Sequence, residues 1–298
     1  MISSLFRRFE SHFKVSQRIE ALRIYGRRSI MWFWTNKPCL SGDGFLSISN
    51  QIVRGPKFWS LIHLFRSSKI PHVTFLPTHV VREDRFQDLI SPFCRILILG
   101  NSDYDLTKKD VEDLSRLKLK IYAQNLEHRA SNFHVLPIGL ENRRLGVNGL
   151  KRYYKQSFSK TPKQDKVLIG PFSMTHPERL DLLGLKSEKG PWDFLEGRMK
   201  LAEYSKISSS YKFVACPRGN GLDTHRFWET LYRGSVPIVL SSNWSKMIQE
   251  LGIPLLIVEN WSAETLRKTV ADNLDFEIPE KIPALWMKFW RTEFVTVD

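Results

Sequence analysis

Cysteine is scarce in this 298-residue chain, and the three present, Cys39, Cys94 and Cys216, lie far apart. An odd number with no Cys-x-x-Cys indicates neither a disulfide framework nor a zinc site, and it fits a reducing compartment. Long apolar runs are also missing. No stretch approaches the roughly 20 residues that a membrane-spanning helix needs, and the first residues lack the contiguous apolar core of a secretory signal. These absences predict a cytoplasmic protein. Acidic residues are outnumbered: 31 Asp and Glu against 45 Lys and Arg leave a formal charge of +14. Such a surplus favours nucleic acid, an anionic membrane face, or acidic and phosphorylated substrates, without choosing among them. No repeat of solenoid period is present, which excludes a repeat array.

What is present is an alternation of short apolar runs and amphipathic stretches, the pattern of an α/β protein with parallel sheets. The length suits two domains of about 150 residues, expected over 1–155 and 156–298 with a polar, basic linker at 151–166. In the first, strands are expected at 72–76, 95–99, 119–123 and 134–137, and helices at 58–65, 83–90 and 108–117. Residues 35–56 read as loops with one short strand at 45–48. In the second, strands are expected at 167–172, 212–215, 236–240 and 255–258. Helices are expected at 181–185, 192–204, 244–251, 263–273 and 284–294, the last crossing back over the first domain. Residues 1–34 carry Phe6, Phe9 and Phe13 at helical spacing among many arginines. That pattern reads either as an interfacial helix on an anionic membrane or as a packed helix with a solvated basic face.

Ligands of parallel α/β sheets bind at the carboxyl ends of the strands. Three such ends in the first half are polar: Asn101 to Asp105, Gln124-Asn125, and Glu141-Asn142. Asp103-Tyr104-Asp105 has the Asp-x-Asp form of some divalent-metal sites, but two carboxylates fall short of an oxygen-ligand shell. Acceptor binding or helix capping is the expected role. In the second half, Gly170 to His176 follows a strand, and His176 is a candidate ligand for a phosphate or base.

The densest segment is 211–240, which reads as strand, tight loop, helix, strand. Pro217, Gly219, Asn220 and Gly221 force a sharp turn, Asp223 or Thr224 can cap the following helix, and Gly234 can end it. A glycine-rich turn feeding a helix tip aims backbone N–H groups and partial positive charge at one point, which suits phosphate. Arg218 lies in the turn, and Arg226 lies in the first helical turn, where the helix dipole disfavours a cation unless an anion offsets it. Glu229 follows three residues on, placed to accept hydrogen bonds from sugar hydroxyls.

Cys-Pro-Arg-Gly-Asn-Gly-Leu-Asp-Thr-His-Arg-Phe-Trp-Glu, closing in Gly-Ser-Val-Pro-Ile-Val, resembles the donor-site signature of exostosin-like glycosyltransferases. That signature runs Pro-Arg-Gly, Asp-Ser/Thr-x-Arg-Phe/Trp-x-Glu, Gly-x-x-Pro-Val/Ile. The likeness covers about thirty residues closely and residues 122–141 loosely. It implies two Rossmann-like domains facing across a cleft, the GT-B arrangement, with the nucleotide sugar mostly on the second. Arg218 and Arg226 would hold the diphosphate and Glu229 the ribose, with a UDP-sugar as donor and no metal or resident cofactor. The acceptor would be a glycan or lipid-linked glycan. Animal exostosins carry a membrane anchor that this chain lacks, which points to a bacterial-type enzyme at the cytoplasmic membrane face. A weaker likeness, to fucosyltransferases using GDP-sugars, lacks their Glu-Asn and Tyr-x-Thr-Glu-Lys motifs. For inverting transfer the acceptor hydroxyl needs a base, expected from the first domain as Asp103 or Glu141. The competing class is a basic binder of nucleic acid or anionic polymer, which the charge alone permits. The absence of a stacking platform argues against nucleic acid as a partner.

Overall fold

The computed structural model describes residues 39–49, 51–52, 72–90, 93–142, 163–197 and 199–295. The expected basic helix at 1–34, the helix at 58–65 and most of the linker lie outside them. Two five-stranded sheets, parallel throughout, hold the described residues together. The first contains β1 (Gln51–Ile52), β2 (His72–Pro77), β3 (Cys94–Gly100), β4 (Lys120–Ala123) and β5 (Phe133–Val135), in that spatial order. Central β3 carries Ile96, Leu97, Ile98 and Leu99, all fully buried, so both faces are covered. Such unbroken apolar runs mark parallel strands, and for that reason they were visible in the sequence.

The second sheet contains β6 (Gln164–Ile169), β7 (Trp192–Phe194), β8 (Tyr211–Ala215), β9 (Val236–Leu240) and β10 (Leu256–Val258). Its spatial order is β10-β9-β8-β6-β7. After β6 the chain steps outward to β7, then returns across β6 to place β8 on its other side. Successive crossovers from β6 and β8 therefore leave in opposite directions, the arrangement that opens a crevice in a doubly wound sheet.

Eight α-helices are found among the described residues: α1 (Gly42–Ile48), α2 (Lys108–Ser115), α3 (Glu178–Gly184), α4 (Leu201–Ser208), α5 (His225–Tyr232), α6 (Asn243–Glu250), α7 (Ala263–Asp272) and α8 (Met287–Val295). Three expectations fail locally. Residues 45–48 belong to a helix, not a strand. Ser41 caps it by accepting from Gly44 N–H, and a Cβ on Gly44 would lie 2.8 Å from the Met287 sulfur. The glycines that read as loop instead permit close packing. Residues 83–90 form no α-helix, because Arg85 takes a left-handed conformation between the 3-10 turns Thr78–Arg82 and Phe86–Leu89. Residues 192–194 form edge strand β7, with Trp192 paired to Val167 and Phe194 to Ile169. Asp193 between them receives Lys166 and the Tyr211 hydroxyl, an alternation of period two.

One apolar cluster runs from β3 and β4 through α5 to Leu168, Val214 and Val239 of the second sheet. A second cluster covers that sheet's other face with Val167, Ile169, Phe213 and Ile238. Helix α5 joins the parts: Phe227, Trp228, Leu231 and Tyr232 are fully buried. The Tyr232 hydroxyl accepts from Leu40 N–H at 2.8 Å and donates to the Leu285 carbonyl. Helix α8 packs on the first sheet. Phe294 lies 4.7 Å from the Tyr122 ring, Trp290 lies edge-on to Phe45 at 5.6 Å, and Glu293 accepts from Lys120 and Tyr122. No helix among the described residues is long and apolar enough to cross a membrane.

Candidate functional site

The loops after β6 and β8, at the reversal of strand order, line a cavity of about 1090 Å³. Gly170 to Thr175 form one wall, and Pro217 with Gly219 to Gly221 form another. The tip of α5 supplies Thr224, His225, Arg226 and Glu229, while Asp103 and Ile138 reach in from the first-sheet loops.

Arg226 donates from Nη1 to the Gly170 carbonyl at 2.9 Å and from Nη2 to the Pro171 carbonyl. The guanidinium is thus held by the loop after β6 while its remaining surface faces the cavity. A second guanidinium shares the space. Arg179, in the first turn of α3, donates from Nε to the Arg218 carbonyl at 2.9 Å and from Nη1 to the Ser173 carbonyl. Both lie near the Phe172 ring, at 5.4 Å for Arg179 and 5.8 Å for Arg226. Burial, and then the charge of Arg226, depress the Arg179 pKa, with Glu178 acting in the opposite direction. A bound anion would relieve that repulsion.

Two carboxylates of the wall already pair with cations. Lys186 donates to Glu196 at 2.6 Å, and Arg233 donates to Glu229 at 3.4 Å. Asp223 is buried and accepts from Ile138 N–H at 2.8 Å and the Trp228 indole at 2.7 Å. Burial outweighs these donors and raises its pKa to about 7. Tyr204 also lines the cavity, with Arg226 over its ring at 5.2 Å. Its hydroxyl is buried and has no hydrogen-bond partner among the described residues. Leaving such a group unmet costs about 1–3 kcal/mol.

Thr224 is the N-cap of α5 but makes no side-chain cap bond, and the first turn holds no acid. The Asp223 carboxylate takes the Thr224 N–H and the Thr224 carbonyl takes the Phe227 N–H at 3.1 Å, which leaves the partial charge of the tip and the N–H groups of His225 and Arg226 for a ligand. Ahead of it, the turn is fixed by Asn125: its Oδ1 accepts from Asp223 N–H at 2.9 Å, and its Nδ2 donates to the Ser102 carbonyl at 3.1 Å. A Cβ on Gly221 would sit 2.6 Å from Asn125 Oδ1, so only glycine allows this approach.

Of the residues marked in the sequence, Asp103, Gly219, Asn220, Gly221, Asp223, Thr224, Arg226 and Glu229 meet on this cavity. Three do not. Arg218 lines a neighbouring cavity of about 570 Å³, where its Nη2 pairs with Asp105 Oδ2 at 2.6 Å. The expected convergence of Arg218 and Arg226 on one pocket is thus corrected: a carboxylate 113 residues away draws Arg218 aside. His176 lines the smaller cavity too, its Nδ1 accepting from Glu178 N–H at 3.3 Å. Glu141 lines neither cavity, and its Oε2 is buried without a partner among the described residues. Asp103 accepts from Asn220 Nδ2 at 3.1 Å, and Asp105 accepts weakly from Leu222 N–H. Asp-x-Asp thus clasps the glycine turn. Among the described residues no group of three or more His, Cys, Asp or Glu is placed to hold a metal.

Arg179 escaped the sequence reading. The helix was expected from 181, whereas it starts at Glu178 and so puts Arg179 in its first turn, where the dipole disfavours a cation. No protein-family model matches the chain, and no curated protein matches it in sequence.

Proposed function

We propose that the protein is a glycosyltransferase that moves a sugar from a nucleotide-sugar donor, a UDP-sugar by preference, to a glycan or lipid-linked glycan. In this reading residues 1–155 and 156–298 act as two Rossmann-like domains. The donor lies between them, mostly on the second, in the GT-B manner.

The observation that carries the reading is the cavity at the strand reversal of the second sheet, where Arg179, Arg226 and the tip of α5 face one space. Two guanidinium groups and a helix N-terminus suit a diphosphate. The cavity volume of about 1090 Å³ admits a nucleotide sugar. As the glycosidic bond breaks, negative charge grows on the leaving diphosphate, and groups already oriented by backbone carbonyls stabilise it without reorganising. Glu229, on the cavity wall, supplies a carboxylate for ribose hydroxyls. The likeness of 216–239 to the exostosin signature supports the same assignment. Work at an anionic membrane face fits the charge of +14.

Thermal shift across UDP-, GDP- and CMP-sugars tests this. A ligand at 100 times its Kd adds about 2.7 kcal/mol of stability, so the cognate nucleotide raises Tm and others do not. Donor hydrolysis by the same nucleotide sugar, lost in Arg226→Ala, completes the case. A protein indifferent to every nucleotide sugar, yet binding oligonucleotides with a steep salt dependence, would be the basic polymer binder instead.

A further inference from the structure

His225 is the first residue of α5 and lines the large cavity. Its Nδ1 lies 2.7 Å from the Gly139 carbonyl oxygen. A carbonyl oxygen only accepts, so Nδ1 carries the proton of this bond, and the neutral ring keeps its lone pair on Nε2. Nε2 has no hydrogen-bond partner among the described residues. The acceptor carbonyl is itself fixed: Gly139 bridges to Ser41, and Leu140 N–H donates to the Leu40 carbonyl at 2.9 Å.

Consecutive helical residues point about 100° apart. Arg226 reaches to the loop after β6, whereas His225 reaches to the first-sheet loop at Gly139. A donor diphosphate seated on Arg226 would have His225 on the side from which the first-sheet loops approach. Of the two sequence candidates only Asp103 also reaches the cavity from the first-sheet loops. Asp103 is exposed and bonded to Asn220, and Glu141 lines neither cavity.

We propose that His225 is the catalytic base of the transfer, a role that rests on the glycosyltransferase reading above. Nε2 takes the proton of the acceptor hydroxyl and becomes imidazolium. The hydroxyl oxygen bonds to the anomeric carbon as the bond from that carbon to the diphosphate oxygen breaks, and the electron pair leaves with the diphosphate. Attack opposite the leaving group inverts the anomeric configuration.

The test uses the whole chain with the nucleotide sugar that raises its Tm most. His225→Asn keeps an N–H donor near the Nδ1 position and removes the base. We expect kcat to fall about 10²–10⁴-fold, the usual share of a general base, with donor affinity and Tm near those of wild type. Added imidazole should restore part of the activity of His225→Ala, which a purely structural role does not predict. His225→Asn retaining wild-type kcat, or losing donor affinity while keeping kcat, would overturn the proposal and leave the donor site standing. Absence of any nucleotide-sugar binding by wild type would remove the donor site and the base together. Should His225→Asn fold poorly, imidazole rescue of His225→Ala decides: rescue supports the base, and no rescue in a folded variant refutes it.

Discussion

The two sheets are built of the same material and differ in winding. Among the described strands the first runs β1 to β5 in sequence order, and the second reverses between β6 and β8. Where the order does not reverse, the loops close on one another. Gln124 accepts from Asn101 N–H, Asn142 donates to Asn101, and Asn125 donates to the Ser102 carbonyl. These polar strand ends act as braces. Where the order reverses, the loops part, and the cavity with Arg179 and Arg226 lies there. Topology, more than the count of polar residues, decides which strand ends make a site.

Removing charge at the reversal should cost the most. Arg226→Ala and Arg179→Ala should each weaken donor binding by about 3 kcal/mol, roughly 10²-fold, the worth of a charged hydrogen-bonding group. Titration calorimetry reads this directly. Losses confined to stability, with donor affinity unchanged, would show that both arginines only tie loops.

Next comes Asp223, which joins the turn to Ile138. Its folded pKa, about 7, stands above the ordinary 3.8. The folded state therefore holds a proton that the unfolded state gives up between those values. Stability from this group is fully present below about pH 4 and is lost as pH rises through 7. The effect is on the order of a few kcal/mol at most. Denaturant melts of wild type and Asp223→Asn across pH 4–8 should differ in slope, with the variant flatter.

Smaller effects belong to contacts outside the reversal. Arg218→Ala breaks a pair with Asp105 whose side chains are 25% and 33% exposed. It should change donor affinity by less than about tenfold, under 1.4 kcal/mol. A loss as large as that of Arg226→Ala would return Arg218 to the diphosphate site. Least of all is Arg129→Ala, which removes an exposed bidentate pair with Glu250. Its cost in a melt should be about 0–1 kcal/mol.

What the sequence disclosed follows the range of the physics. The turn and helix at 216–232 were legible because glycines, a cap position and an apolar helix face are all local signals. β3 and β8 were legible because burial on both faces leaves apolar runs at 96–99 and 213–216. Side-chain direction was not, because it depends on distant partners. Asp105 turns Arg218 aside from 113 residues away, and the Arg218 carbonyl draws in Arg179 across 39. Helix α1 was hidden because glycines that permit close packing look the same in sequence as glycines that make loops.

In the proposed donor site Arg179 and Arg226, rather than Arg218 and Arg226, take the diphosphate at the reversal of the second sheet. Calorimetric titration of a nucleoside diphosphate into wild type and the three single alanine variants decides between the two pairs. Binding lost in Arg179→Ala and Arg226→Ala but kept in Arg218→Ala is the predicted result. Binding that survives in Arg179→Ala and vanishes in Arg218→Ala would contradict it.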